Sequence, residues 1–142
     1  MNWKTIFGLS LFGLAMAIGT VFVVSPKVEP FCWLVIFVIC AFVIARQAAS
    51  RPFLHGFLLG IVNSIWVTAA HLIFFDRYVA GHPQEAAMIQ RVPASFTGRE
   101  LMAMAGPLIG VISGIVIGVL ALIVARVLNT RGRQQGRARA AR

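Results

Sequence analysis

The chain has 142 residues, of which 59% are hydrophobic and 12% are charged, and its mean hydropathy is +0.87. A water-soluble domain of this size needs far more polar surface, so the composition excludes an ordinary soluble protein. The formal net charge is +9, because 13 lysine and arginine residues are set against 4 acidic residues. We therefore expect a single all-α membrane domain, with the lipid bilayer as its main partner.

Four apolar segments are long enough, or nearly long enough, to cross a bilayer. A spanning helix needs about 20 mostly apolar residues, because the hydrocarbon layer is about 30 Å thick. The predicted spans are residues 5–24, 31–47, 53–75 and 107–126. Together they form a four-span transmembrane domain over residues 1–128.

The first segment also has some features of a cleaved signal peptide. Ala15-Met16-Ala17 resembles a cleavage site with small residues at its two ends. The apolar residues continue through Val24, however, which is longer than the core of a usual signal peptide. We therefore expect the first span to be retained.

The charges divide between the two sides of the membrane once four spans are assumed. The side with both termini carries nine basic residues and no acidic residue, whereas the other side carries four basic residues and all 4 acids. Basic loops stay in the cytoplasm, so we expect a multi-pass protein of the bacterial inner membrane with cytoplasmic N and C termini. Residues 129–142 are predicted to be a basic disordered tail that contacts anionic lipid headgroups. Because the tail has no interleaved aromatic residues, we do not expect it to bind nucleic acid.

Small residues recur at every fourth position in the third and fourth spans. Residues four apart on a helix advance by about 400°, so such a stripe forms a nearly continuous flat groove. In lipid, small side chains allow two helix backbones to approach closely. We predict that these two spans pack through their stripes as a glycine zipper. The helix-packing residues are Gly56, Gly60, Ser64, Thr68, Gly106, Gly110, Gly114 and Gly118.

Asn63 is the most polar side chain near the centre of the third span. An unpaired amide is costly in hydrocarbon, so Asn63 should face another helix. It is either a clasp between helices, which is the interpretation we favour, or part of a polar path that includes Ser113. The rise per residue predicts that Ser113 and Thr68 lie at the same depth and can share a hydrogen bond.

The segment between the third and fourth spans is predicted to be short, amphipathic and on the outer side. Pro83 and Glu85 indicate the start of a short helix, and Pro93 ends it. The sequence Thr97-Gly98-Arg99-Glu100 is a capping-box pattern at the start of the last long helix. Pro107 is predicted to kink that helix near the membrane surface.

Four titratable residues in and beside this segment are the weak candidates for an outer site. They are His71, Asp76, His82 and Glu85. Their spacings of five, six and three match no metal-ligand pattern, and no nucleophile, phosphate-binding or paired-carboxylate motif accompanies them. We therefore assign no catalytic, cofactor-binding or metal-binding residue, and we expect no cofactor.

The run FLHGFLLGIVNSIWVTAAHLIFFDRYVAGHPQEAAMI also has the features of a known family. It combines an apolar span rich in small residues, an aromatic run ending at Tyr78, the pair His82-Pro83 and a following amphipathic stretch. In these features the chain resembles the small four-span bacterial membrane proteins of the domain of unknown function 4199 family. The resemblance implies a topology and no catalytic residue, because the family has no assigned activity. The arginine-rich tail lies outside the pattern.

Three functions are compatible with these observations. The leading hypothesis is a non-enzymatic accessory protein that acts through helix contacts with a second copy or with a larger membrane complex. The first alternative is a small dimeric transporter or channel with its polar path around Asn63. The second alternative is a membrane enzyme that uses the region from His71 to Glu85.

Overall fold

A computed structural model of the chain describes residues 1–48, 50–91, 93 and 95–140, with side chains described as far as residue 130. The described residues form six helices and no strand. The helices are α1 (Trp3–Phe22), α2 (Glu29–Gln47), α3 (Pro52–Ile73), α4 (Phe75–Gly81), α5 (Pro83–Gln90) and α6 (Gly98–Ala140). Four of them, α1, α2, α3 and α6, are long and apolar enough to cross a membrane.

The third long helix ends two residues before the predicted end of its span. α3 stops at Ile73, and the separate short helix α4 follows after Phe74. The last turn of a helix leaves carbonyl groups without partners inside the helix. One of them, the carbonyl of Leu72, accepts a 2.7 Å hydrogen bond from the Arg99 guanidinium. The break between α3 and α4 is therefore stabilised by a side chain from α6.

The predicted capping box at the start of the last long helix is confirmed. The Thr97 amide donates to the Glu100 carboxylate at 2.7 Å, and the Glu100 amide donates to the Thr97 hydroxyl at 3.2 Å. α6 begins at Gly98 as a result, and it continues past Pro107 as one helix. The kink at Pro107 stays a prediction.

The other end of α6 differs from the prediction. The backbone is helical through Ala140, whereas the sequence predicts a disordered tail from residue 129. Alanine, arginine and glutamine dominate this stretch and are strong helix formers, and no proline interrupts the helix that enters it. Contact of the tail with lipid headgroups stays a prediction, and residues 141–142 lie outside the described chain.

α3 is the central helix of the bundle. It packs against α6 on one side and α1 on the other, while α2 packs mainly on α6. All four long helices meet in a hydrophobic core that includes Leu9, Ile44, Leu59 and Ile117. Buried positions recur every three or four residues along α1 and α6, so the opposite faces of these helices point outward.

The contact between α3 and α6 is built on the two stripes of small residues. The two helices run antiparallel, and their stripes face each other residue by residue. Moving four residues forward along α3 therefore corresponds to moving four residues backward along α6. The facing pairs are Gly56 with Gly118, Gly60 with Gly114, Ser64 with Gly110, and Thr68 with Gly106. A methyl group at Gly56 would lie 2.6 Å from the Gly118 backbone nitrogen. No described residue has a positive φ, so these glycines serve close approach and not an unusual backbone conformation.

The predicted hydrogen bond between Thr68 and Ser113 is wrong. Thr68 lies against Gly106, and the Ser113 hydroxyl donates to the Gly110 carbonyl of its own helix at 3.2 Å. The prediction placed Pro107 level with the last residue of the third span. α6 begins well before Pro107, however. Pro107 therefore lies beside a part of α3 that is about two helical turns away from the predicted level at Phe75.

Candidate functional site

A group of polar and aromatic side chains lies where the C-terminal ends of α1 and α3 and the N-terminal end of α2 meet α4, at the end of the bundle that the sequence predicts to be the outer one. α4 places Tyr78 one helical turn before His82, so both rings lie on the same face of the chain. α3 contributes its last buried polar residue, His71. We call this group the outer cluster, and its members are Thr20, Glu29, Trp33, His71, Tyr78 and His82.

Three rings stack at the centre of the outer cluster. The Tyr78 ring lies between those of His71 and His82, with centroid distances of 3.8 and 4.0 Å and interplanar angles of 24° and 21°. All three residues are buried. Because the stack runs from α3 to the end of α4, it holds α4 against the bundle after the break at Phe74.

A hydrogen bond joins His71 to α1. Its Nε2 atom lies 3.0 Å from the Thr20 hydroxyl oxygen. That hydroxyl has one hydrogen, which it donates to the Ala17 carbonyl at 3.2 Å. When the hydroxyl hydrogen points to Ala17, the hydroxyl accepts from the Nε2–H of His71.

His82 is almost completely buried, and its two ring nitrogens differ in their surroundings. Nδ1 donates to the Tyr78 carbonyl at 2.8 Å. Nε2 has no hydrogen-bond partner among the described residues and lies 3.6 Å from a carboxylate oxygen of Glu29. The other carboxylate oxygen accepts from the indole N–H of Trp33 at 3.1 Å. Trp33, one turn further along α2, therefore helps to orient the Glu29 carboxylate.

The environment of Tyr78 favours its neutral form. Burial raises the pKa of Tyr78, and the negative charges of Glu85 and Glu29 raise it further. Its phenol therefore stays protonated at neutral pH. Within the outer cluster it supplies a neutral stacking surface between two histidines.

A shallow cleft opens beside His82. Its volume is about 270 Å³, and it lies between α4 and the end of α1 with the loop that follows. Arg77 and Ser25 are among the residues that line it. This volume is slightly below the usual range for small-molecule sites, so the cleft suits a small polar group or several water molecules.

The four outer-site candidates predicted from the sequence do not form one site. His71 and His82 belong to the outer cluster, and Glu85 contributes to the electrostatic field at Tyr78. Asp76 instead lies 3.8 Å from the Arg99 guanidinium, on an exposed surface. Within the described part of the chain, no three His, Cys, Asp or Glu side chains form a group that could hold a metal ion.

The two residues of the predicted polar path lie in different helix contacts. Asn63 is 4% exposed and faces Gly13 of α1, where a methyl group would lie 2.6 Å from the Asn63 side-chain carbon Cγ. Neither amide atom of Asn63 has a hydrogen-bond partner among the described residues. Ser113 lies on α6 and bonds within that helix. Asn63 therefore belongs to the contact between α1 and α3.

Sequence reasoning missed four members of the outer cluster: Thr20, Glu29, Trp33 and Tyr78. One signal was available for Tyr78, which follows His71 by seven residues and precedes His82 by four. Such spacings place three rings on one face of a helix. Glu29 and Thr20 carry no comparable signal, because their partners lie far away in the chain.

Comparisons with known proteins add no relative to this description. No family model matches the chain, and neither a curated protein nor a solved structure matches it.

Proposed function

We propose that the chain is a multi-pass integral membrane protein of the bacterial inner membrane, with cytoplasmic N and C termini. The observation that carries this proposal is the apolar outward surface of the long helices. Large exposed side chains on α2 and α6 include Leu34, Val38, Phe42, Ile109, Ile112, Val116, Val119 and Ile123. A continuous surface of this kind is stable in hydrocarbon and costly in water. The unequal charge of the two sides supports the orientation.

The packing inside the bundle also suits a lipid environment. Helices in lipid gain little from hydrophobic association, so they depend on close backbone contact and on a few hydrogen bonds. The facing stripes of α3 and α6 supply the close contact. At the cytoplasmic end, the backbone N–H of Asn2 donates to Nε2 of His55 at 3.0 Å, and the Thr5 hydroxyl donates to the side-chain oxygen of Gln47 at 2.9 Å.

Within the membrane we infer a non-enzymatic accessory role, exercised by contact with a second copy or with a larger membrane complex. α2 is the helix best placed for such contact. In the most apolar stretch of α2, 22% of the residues are buried in the bundle, against 50% in the corresponding stretch of α1. α2 also packs mainly on one other helix, α6. One full face of α2 is therefore free for a further membrane helix. The proposed role does not depend on the resemblance to the domain of unknown function 4199 family, which stays a prediction.

The accessory role can be tested by photo-crosslinking in bacterial membranes. A photo-reactive amino acid would replace Val38, which is exposed on α2, or Ile44, which is buried on the same helix. We expect a protein adduct from Val38, either with a second copy or with another membrane protein, and none from Ile44. Adducts with lipid alone at Val38 would contradict the accessory role, while still supporting the membrane location.

A further inference from the structure

We propose that His82 and Glu29 form a proton-binding site on the outer side of the bundle. One proton taken up by His82 would close a charged hydrogen bond to Glu29 and so tie the end of α4 to the start of α2. This inference goes beyond the proposed accessory role, because it concerns a response to acid and not the identity of a partner.

The first reason is the state of the His82 ring. Its Nδ1–H donates to the Tyr78 carbonyl. A neutral imidazole has only one N–H, so Nε2 of the neutral ring carries no hydrogen and can only accept. That acceptor is buried, has no partner among the described residues and faces a Glu29 oxygen at 3.6 Å. Two acceptors therefore face each other without a hydrogen between them. A proton on Nε2 turns one acceptor into a donor and removes this mismatch.

The second reason is the geometry of Glu29. Its far oxygen is held by the Trp33 indole, which leaves the near oxygen directed at His82. The Glu29 side chain is 22% exposed, whereas that of His82 is 2% exposed, so a proton from the outer solution can reach the pair along the Glu29 side. Charge-assisted N–H···O bonds are about 2.8 Å long, so closing the pair requires a movement of less than about 1 Å.

Of the other charged groups around the pair, some favour a positively charged His82 and others oppose it. On α3, His71 is separated from His82 by the Tyr78 ring, and on α4, Arg77 lines the cleft that His82 also lines. A positive charge on either group would repel a charged His82. Glu29 on α2 favours the charged ring and is the carboxylate nearest to it. Glu85 on α5, whose charge acts on the neighbouring Tyr78, has the same sign as Glu29. The α1 member of the outer cluster, Thr20, does not titrate.

The site can be tested by NMR on the full chain in detergent micelles between pH 8 and pH 5, the range in which histidine commonly changes charge. The chain has 3 histidines and 3 tryptophans, so single substitutions suffice to assign their side-chain signals. We expect the His82 ring signal and the Trp33 indole N–H signal to change with the same midpoint. The Trp33 signal should change at the same pH as the His82 signal, because the Trp33 indole donates to the Glu29 carboxylate. That carboxylate would also accept the new hydrogen bond from His82.

Two glutamine variants separate this site from a general effect of nearby charge. Glu29→Gln should weaken proton binding to His82 by about tenfold or more, and it should remove the pH response of Trp33. Glu85→Gln is the matched control, and it should change proton binding to His82 by less than about threefold, because a more distant charge acts more weakly.

Three results would overturn the proposal. They are the absence of any His82 titration in this range, a Trp33 signal that does not follow His82, or an unchanged His82 midpoint in Glu29→Gln. If Glu29→Gln does not fold, His82→Gln takes its place. The Trp33 indole signal must then lose its response to pH, and a retained response would contradict the proposed site.

Discussion

Gly114 of α6 lies directly against the Phe57 carbonyl of α3, so that a methyl group at Gly114 would come within 2.6 Å of the carbonyl oxygen. The atom met there belongs to the backbone and cannot rotate away as the end of a side chain can. Any side chain at this position therefore forces the two helices apart. α3 and α6 can lie this close because the contact positions are glycines, which have no side chain. Close helix packing in lipid depends on such small residues.

The first prediction concerns this contact. Gly114→Ala should lower the free energy of unfolding by about 1–3 kcal/mol, as overpacking of a tight interface does. Gly8→Ala is the matched control, because a methyl group at Gly8 meets no atom within 4 Å. The measurement is unfolding of both variants in the same detergent. Equal stability of the two variants would show that the stripe does not limit the approach of the helices.

The second prediction concerns Asn63. Its amide is buried, and neither polar atom has a partner within the described part of the chain; such groups typically cost about 1–3 kcal/mol. Asn63→Leu keeps a similar shape without polar atoms, so it should raise the free energy of unfolding by about 1 kcal/mol. The measurement is again unfolding in detergent. A marked loss of stability would indicate that the amide has a partner in the folded protein, and loss of solute flux in proteoliposomes would favour the transporter alternative.

The third prediction separates two contacts of Arg99. Its hydrogen bond to the Leu72 carbonyl supports the end of α3, whereas its ion pair with Asp76 is 3.8 Å long and exposed. Exposed ion pairs contribute little to stability, and a hydrogen bond from a charged donor to a helix end contributes more. Arg99→Gln should therefore lower stability by about 1 kcal/mol, and Asp76→Asn should change it by less than about 0.5 kcal/mol. A larger effect of Asp76→Asn than of Arg99→Gln would refute this ranking.

The fourth prediction uses Tyr78, the single tyrosine of the chain. Burial and two carboxylates raise its pKa, so the folded protein favours the protonated phenol. This contribution to stability is complete below about pH 10, the ordinary value, and is lost as the pH rises through the higher pKa of the folded protein. The ultraviolet absorbance of tyrosinate should therefore appear at higher pH in the folded chain than in denaturant. Coincident titrations in the two states would contradict the buried position of Tyr78.

Local patterns in the sequence predict the features that depend on nearby residues. The spacing of Gly110 and Gly114 is visible in the sequence, and so is the pair of Thr97 and Glu100 that begins α6. The register between α3 and α6 was not predictable from helix length, because it depends on where Pro107 lies along the neighbouring helix.

The outer cluster is the part that sequence reasoning could not assemble. Glu29 and His82 are 53 residues apart and meet only because α2 begins and α4 ends at the same side of the bundle. Likewise, the bond between Thr20 and His71 depends on the packing of α1 against α3. No local pattern encodes such contacts, since each partner taken alone is an ordinary residue near the end of a helix.

The most direct measurement of the proposed membrane location is the accessibility of a spin label on α2 in proteoliposomes. Val38 is 52% exposed in the structure, so a label placed there faces water unless the bilayer, or another helix within it, covers the position. The label would be introduced as Val38→Cys in a background with Cys32→Ala and Cys40→Ala, with Arg91→Cys as the control on the exposed turn after α5. If the four helices cross the bilayer, the label at Val38 collides with dissolved oxygen and is shielded from a water-soluble nickel complex, and the control label is not shielded. Equal access of the nickel complex to both labels would contradict the account.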